Sequence, residues 1–234
     1  MDEVIAHAVA DLKAYTEGGV TTFIVENYGD APFSRGKVDG VTVSAMTLAA
    51  VRLKTEFPAA KMGINVLRND ASAAMSIATV VGAEFIRVNV HVGAVLADQG
   101  IVEGNAYHTL RLRKNLNSNV LIYADVDVKH SARLGDYSIM AQAADAIERG
   151  LADAIIVSGS RTGEPVDMRQ LKELRTAFPK GQIIVGSGAN SKNVKSLLRY
   201  ADGVIVGTAL KSRGIISAAV DPGRVRDFVK AAGH

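Results

Sequence analysis

The chain contains no cysteine, no tryptophan, only five prolines and only 5% aromatic residues in 234 positions. Without cysteine there is no disulfide, no thiolate zinc site and no cysteine nucleophile. Apolar runs are short, and none approaches the roughly 20 residues of a membrane span. Met1-Asp2-Glu3 opens acidic and leads into a helical pattern, which is wrong for a signal peptide. An excess of one charge is missing too. The 27 Lys and Arg nearly cancel the 24 Asp and Glu, leaving a formal charge of +3, so composition offers no basic face for nucleic acid. No Pro/Ser/Gly tract divides the chain. The expectation is a single domain over residues 1–234, cytoplasmic, without stable membrane insertion.

What is present is an alternation. Hydrophobic residues make up 48% of the chain, enough for a sizeable core. Short, nearly continuous Val/Ile-rich runs span Thr22 to Glu26, Met62 to Val66, Phe85 to Val90, Val120 to Val126, Ala154 to Ser158, Ile183 to Gly186 and Val204 to Gly207. Such strands are buried on both faces, as in a parallel sheet. Between them, segments such as Ser44 to Phe57 and Tyr137 to Arg149 carry apolar residues at helical spacing. A small-residue junction precedes several strands: Gly18-Gly19-Val20, Val81-Gly82-Ala83, Gly150-Leu151-Ala152-Asp153 and Ala201-Asp202-Gly203. This repetition predicts βαβ units and a TIM (β/α)8-type barrel.

Seven strands are countable, and the chain opens in a helical pattern, Val4-Ile5 to Val9-Leu12. A full barrel needs one more strand before Met1. The start lies upstream, the chain is trimmed, or the barrel is incomplete. A doubly wound open sheet is the alternative architecture. An uncovered barrel edge invites pairing, so a homo-oligomer is expected. The longest irregular stretch, about Tyr28 to Val43, follows the first strand and reads as a loop over the barrel mouth.

In a barrel, chemistry sits at the C-terminal strand ends. Two of these ends stand out. Ile183-Ile184-Val185-Gly186-Ser187-Gly188 and Val204-Ile205-Val206-Gly207-Thr208 each stop in glycine plus a hydroxyl residue. Bare backbone N–H groups there suit a phosphate. Ser158 and Gly159, opening the run Ser158-Gly159-Ser160-Arg161-Thr162-Gly163, join them as candidate phosphate ligands. Tight turns are the bland reading of the same glycines.

The other strand ends are ionisable or amide-rich. Glu26 and Asn27 stand at the end of the first strand, and Asn65 and Arg68 at the end of the second. Arg87 and Asn89 sit two apart and so share a strand face. They bind substrate, or they form an internal salt-bridge layer. Asn69-Asp70 before Ala71-Ser72-Ala73-Ala74 also reads as a helix N-cap. Asp125, Asp127 and Lys129 alternate along one strand and are expected to share a face. Three ionisable groups there favour chemistry over packing. Carboxylates beside Lys129 favour its ammonium form, which suits proton transfer better than imine formation. Glu26, Asp125 and Asp127 are also the oxygen ligands a Mg²⁺ would use, although their spacing matches no metal motif. His91 and His108 stand alone and read as surface or supporting residues.

The stretches Ile24-Val25-Glu26-Asn27-Tyr28-Gly29-Asp30-Ala31-Pro32-Phe33, Val66-Leu67-Arg68-Asn69-Asp70 and Phe85-Ile86-Arg87-Val88-Asn89-Val90 resemble the BtpA/SgcQ family. So do Asp98-Gln99-Gly100-Ile101-Val102-Glu103-Gly104, Ala124-Asp125-Val126-Asp127-Val128-Lys129-His130 and Val185-Gly186-Ser187-Gly188. The resemblance implies a ribulose-phosphate-binding-type TIM barrel. The family name comes from a member linked to photosystem I biogenesis, and SgcQ-type members sit among sugar-metabolism genes. Family members usually begin with a further strand of the type Val-Ile-Gly-Met-Val-His-Leu, which this chain lacks. Asp127-Val128-Lys129 echoes the Asp-x-Lys of decarboxylase barrels, but Ala132 stands where those barrels have a further Asp.

Two functions follow as expectations. In the first, the chain binds a phosphorylated sugar or nucleotide and acts on it as an isomerase or lyase, with Glu26, Asp125, Asp127 and Lys129 catalytic. In the second, it is a non-catalytic assembly factor for a membrane complex of the photosystem I type.

Overall fold

The computed structural model describes residues 1–128, 130–159 and 165–233. Two compact units divide the chain, one of residues 22–155 and one of residues 1–21 with 156–234. Seven strands follow one another in a single sheet: β1 (Thr22–Glu26), β2 (Lys61–Asn65), β3 (Phe85–Val88), β6 (Leu121–Val126), β8 (Ala154–Val157), β9 (Ile183–Val185) and β10 (Gly203–Val204). Six of the seven strands overlap closely with the predicted apolar runs, whereas β10 shares only Val204 with the run Val204 to Gly207. The boundary between the units falls within β8.

In the 22–155 unit, β1–β2, β2–β3 and β3–β6 pair in parallel. Met62, Ile64, Ile86 and Ile122 are fully enclosed there. Each apolar side chain of that size contributes about 1.5–3 kcal/mol when buried. Helices α2 (Gly40–Glu56), α3 (Ala71–Val81) and α4 (Ala106–Asn115) connect these strands. Helix α2 begins at Gly40, earlier than the apolar periodicity from Ser44 indicates, so the irregular stretch after β1 is shorter than expected. Helix α5 (Ile139–Ala144) runs into a π-helical turn over Asp145–Arg149. In the other unit, α1 (Asp2–Glu17) packs with α8 (Pro222–Ala232), and β9–β10 pair in parallel. Helices α6 (Met168–Ala177) and α7 (Val194–Leu197) belong to the same unit.

The junctions repeated in sequence are repeated in hydrogen bonding. Glu84, immediately before β3, donates its N–H to the Met62 carbonyl and accepts the Met62 N–H on its carboxylate. Asp153, before β8, does the same with Ile122, and Asp202, before β10, does the same with Ile183. Each carboxylate also takes a cation from the last turn of a helix: Lys54 of α2, Arg113 of α4 and Arg175 of α6. The acidic residue thus fixes where each strand begins against its neighbour.

A second sheet lies outside the seven predicted runs. Strands β4 (Ala94–Ala97), β5 (Gly100–Glu103) and β7 (Ser131–Arg133) form an antiparallel sheet in the order β5-β4-β7. The turn is Asp98-Gln99, followed by Gly100 at φ +94°. One face is buried through Val95 and Val102, which cluster with Val90 and Val128. Leu96 and Ile101 lie exposed on the other. Half-covered strands alternate rather than run continuously, so a search for continuous apolar runs passes over them.

Candidate functional site

Two groups of residues at strand ends carry polar chemistry, one in each unit. The first belongs to residues 22–155. Arg87 on β3 forks onto Asp125 on β6, Nε to Oδ1 and Nη2 to Oδ2, both at 2.9 Å. Asn89 Nδ2 donates to Asp125 Oδ2 at 2.9 Å. Asn65, at the end of β2, donates through Nδ2 to Asn89 Oδ1 at 3.2 Å and to the Arg87 carbonyl at 3.1 Å. Arg87 and Asn89, expected on one face, therefore meet at one carboxylate.

The direction of each bond in this network is fixed by chemistry. A guanidinium can only donate, and a carboxylate engaged by it only accepts. Asn89 must therefore turn its NH2 toward Asp125 and its oxygen toward Asn65. Asn65 must then donate in turn, which leaves its Oδ1 buried and without a hydrogen-bond partner among the described residues. The network ends in an acceptor.

Burial alone would lower the Arg87 pKa, but the Asp125 charge, its hydrogen bonds and Glu26 outweigh it and raise the pKa above the ordinary value. Arg68 is also buried, and its pKa is lowered, chiefly by that burial. Asp125, Asp98 and Glu26 counter the shift, and Arg87 adds to it. Glu26 and Arg68 thus belong to the same charged neighbourhood as the fork.

Other candidates are differently engaged. Strand β6 ends at Val126, and Asp127 follows at φ +56°. The alternation that would align Asp125 with Asp127 therefore stops one residue short. Asp127 donates its N–H to Gln142 Oε1, and its carboxylate receives Nε and Nη2 of Arg133. Lys129 lies outside the described residues. Glu26, Asp125 and Asp127 do not assemble as Mg²⁺ ligands, since no three His, Asp or Glu side chains form a metal set among the described residues. Arginines occupy the two aspartates instead. Asn27 accepts the Leu67 N–H at 2.7 Å and donates to Asp30 and to the Leu67 carbonyl, so its amide ties the end of β1 to the 67–68 segment.

Asp70 is the N-cap of α3, accepting from the Ala73 N–H, and it also holds the Val38 N–H. Asn69 clamps Val90 through both amide groups and reaches the Glu103 carbonyl. His91 is not a surface residue. It is buried, with Nε2 donating to the Gly150 carbonyl at 2.8 Å. His108 is exposed on α4.

The second group belongs to residues 156–233. Ser158 follows β8 and Ser187 follows β9. Both are only 8% exposed, and neither hydroxyl has a hydrogen-bond partner among the described residues. Buried hydroxyls normally find partners, because leaving one unpaired costs about 1–3 kcal/mol. A Cβ on Gly186 would collide with Ser158 Oγ and Ile156 Cγ2, so glycine there makes room for the hydroxyl. Gly188 has φ +73°, a left-handed conformation suited to glycine. The amides of Ser187, Gly188 and Ala189 donate no hydrogen bond among the described residues. Gly207 and Thr208 follow β10, and Thr208 opens the 3-10 turn Thr208–Leu210. Gly159 follows Ser158 directly, whereas Ser160, Arg161, Thr162 and Gly163 lie outside the described residues.

The loop after β9 and the end of β8 thus hold hydroxyl and amide donors without acceptors among the described residues, beside a left-handed glycine. The sequence indicated these glycines and serines. It did not reveal Asn193, whose side chain closes the loop from Gly188 to Asn190.

The chain is 49% identical over 229 residues to the photosystem I biogenesis protein BtpA of Synechocystis, covering 97% of this chain and 79% of that protein. A thiamine phosphate pyrophosphorylase structure from Pyrococcus furiosus matches with a TM-score of 0.62 at 14% identity, over 96% of this chain and 88% of that one. An N-(5'-phosphoribosyl)anthranilate isomerase structure from the same organism matches with a TM-score of 0.62 at 17% identity, over 95% and 94%. At such identities the structural likeness speaks for fold alone, and that fold is the TIM (β/α)8-type barrel rather than a doubly wound open sheet. The BtpA family model matches residues 1–234. The chain belongs to the BtpA family.

Proposed function

We propose that this chain binds a small phosphorylated metabolite, a sugar or nucleotide phosphate, and converts it by isomerase- or lyase-type acid–base chemistry. The observation that carries the reading is the pair of buried, unpartnered hydroxyls of Ser158 and Ser187 beside Gly186 and Gly188. An oxyanion supplies the acceptors they lack. Backbone donors at Gly159, Gly207 and Thr208 complete the set of candidate phosphate ligands. Two structurally similar barrels are named for phosphate-bearing molecules, thiamine phosphate and a phosphoribosyl compound, which agrees with the reading.

In the 22–155 unit, Glu26 and Lys129 take the proton-transfer roles. Asp125 organises Arg87 and Asn89, and Arg68 adds positive charge. The free acceptor of Asn65 favours a ligand that brings a donor, such as a hydroxyl. Asp127, held by Arg133, is an orienting group in this scheme.

A thermal-shift panel of sugar phosphates, nucleotides and inorganic phosphate, with and without Mg²⁺, tests the binding step. A ligand that binds only the native state raises the midpoint by mass action. Gly188→Asp places a carboxylate in the cradle and should abolish the shift. Silence of the wild-type protein across the panel overturns the reading.

A second reading is favoured by the name of the Synechocystis relative: an assembly factor without catalysis. Lys129→Ala separates the two. An enzyme loses turnover and keeps its phosphate-ligand affinity. An assembly factor has no turnover to lose.

A further inference from the structure

The loop after β9 contains a side chain in an unusual employment. Asn193 stands at the N-cap position of α7, where an asparagine ordinarily accepts a hydrogen bond from the first helical turn. It makes no such bond. Its side chain reaches back along the loop instead. Oδ1 accepts the Asn190 N–H at 2.8 Å, and Nδ2 donates to the Gly188 carbonyl at 2.9 Å. Asn190 Nδ2 approaches the same carbonyl at 3.5 Å, while its Oδ1 accepts the Lys192 N–H at 2.9 Å. Two amide groups therefore turn toward one carbonyl oxygen.

That oxygen matters because of what it is bonded to. A trans peptide is planar, and its C=O and N–H point in opposite directions. Holding the Gly188 oxygen toward Asn193 therefore points the Ala189 N–H the other way. Ala189 is buried, and its N–H donates to no group among the described residues. Ser187, one residue before Gly188, carries a buried hydroxyl without a partner. Ser158, whose hydroxyl sits against Gly186, carries another. An electron-rich carbonyl free to swing among these donors would repel an anion. A carbonyl anchored elsewhere leaves the donors unopposed.

We infer that Asn193 is a positioning residue of the anion cradle: it withdraws the Gly188 carbonyl so that the Ala189 amide and the Ser158 and Ser187 hydroxyls serve an oxyanion. The inference rests on the phosphate-binding reading above and deepens it, since it assigns the cradle its geometry-setting side chain. Asn193 touches no phosphate itself. It acts through the peptide that it orients.

Isothermal titration of the full chain with inorganic phosphate and with ribose 5-phosphate tests this in four proteins: wild type, Asn193→Ala, Asn193→Asp and Asn190→Ala. Asn193→Asp keeps the size and the acceptor for the Asn190 N–H but cannot donate to Gly188, so it remains informative should the alanine variant fail to fold. The expected result is a loss of about tenfold or more in affinity for both Asn193 variants, of the order seen when supporting residues of a binding site are removed. Asn190→Ala removes the 3.5 Å approach to that carbonyl and the acceptor for the Lys192 N–H but leaves the Asn193 bond to Gly188, and should stay within about threefold.

The ligand-free unfolding midpoint is read in parallel. Wild-type binding with unchanged affinity in the Asn193 variants overturns the role of Asn193 and leaves the phosphate reading standing. Equal losses in the Asn190 and Asn193 variants, accompanied by equal falls in the ligand-free midpoint, also overturn it, since general loop stability would then account for both. Failure of the wild-type protein to bind either probe overturns the phosphate reading and this inference together.

Discussion

Arg87 and Asp125 face each other across β3 and β6 through two parallel 2.9 Å bonds, with side chains only 7% and 2% exposed. A pair this deep is costly to half-remove, because the survivor keeps its charge and loses its counter-charge. Asp125→Asn should destabilise the protein by about 3–5 kcal/mol. Replacing both partners with apolar residues should cost much less. Urea unfolding of the single and double variants measures both. A single-variant loss below about 1 kcal/mol would sink this account of the network.

His91 makes stability depend on pH. Burial, the largest influence, lowers its pKa from the ordinary 6.5; the Gly150 bond and Asp153 counter this shift, and Arg113 adds to it. The unfolded chain then binds the proton more readily than the folded one. Its contribution is fully present above pH 6.5 and is lost as pH falls from there toward the lowered folded value. Midpoints recorded from pH 8 to pH 5 should decline more steeply for wild type than for His91→Leu. Parallel profiles would contradict the assignment.

Gly186 and Gly207 should part company. A methyl group on Gly186 meets Ser158 Oγ and Ile156 Cγ2, whereas one on Gly207 meets nothing within 4 Å. Gly186→Ala should therefore lower stability by about 1–3 kcal/mol through overpacking. Gly207→Ala should leave it within about 0.5 kcal/mol. Chemical denaturation ranks the two, and a reversed order would refute the reading of the Gly186 contact.

The acidic clamps predict a fourth pattern. Glu84→Gln, Asp153→Asn and Asp202→Asn each weaken one charged bond to a strand N–H and one ion pair that is partly open to solvent. Each should cost about 1–2 kcal/mol. None should change phosphate affinity, and calorimetry on the same samples checks this.

The legibility of this fold follows from the range of its interactions. Central strands such as β3 and β8 were readable because burial on both faces writes continuous runs, Phe85 to Val88 and Ala154 to Val157. The β4–β5 hairpin was not, because only Val95 and Val102 are covered. The meeting of Arg87 and Asn89 followed from their spacing. Their partner Asp125 lies 38 and 36 residues away, and no local rule supplies that pairing. Asp127 was misplaced because alternation holds only inside a strand, and β6 stops at Val126. Asn27 and Asn69 were read for function or as a cap. Each holds backbone groups 21 to 40 residues away in the chain, a distance at which sequence pattern is silent, and Asn27 adds a local bond to Asp30.

The clamps at Glu84, Asp153 and Asp202 act as fixed starting marks. Each sets the height of a strand at the end where it begins, so errors there are not passed along the sheet. The opposite ends are thereby released from the task of alignment. After β3 the chain makes the full excursion of the β4–β5 hairpin before entering α4, while the Glu84 mark holds β3 in register. A barrel indexed from one rim can rewrite the other. Loops at the strand exits are free to change length and composition, and so to acquire new ligands, without renegotiating the sheet that carries them.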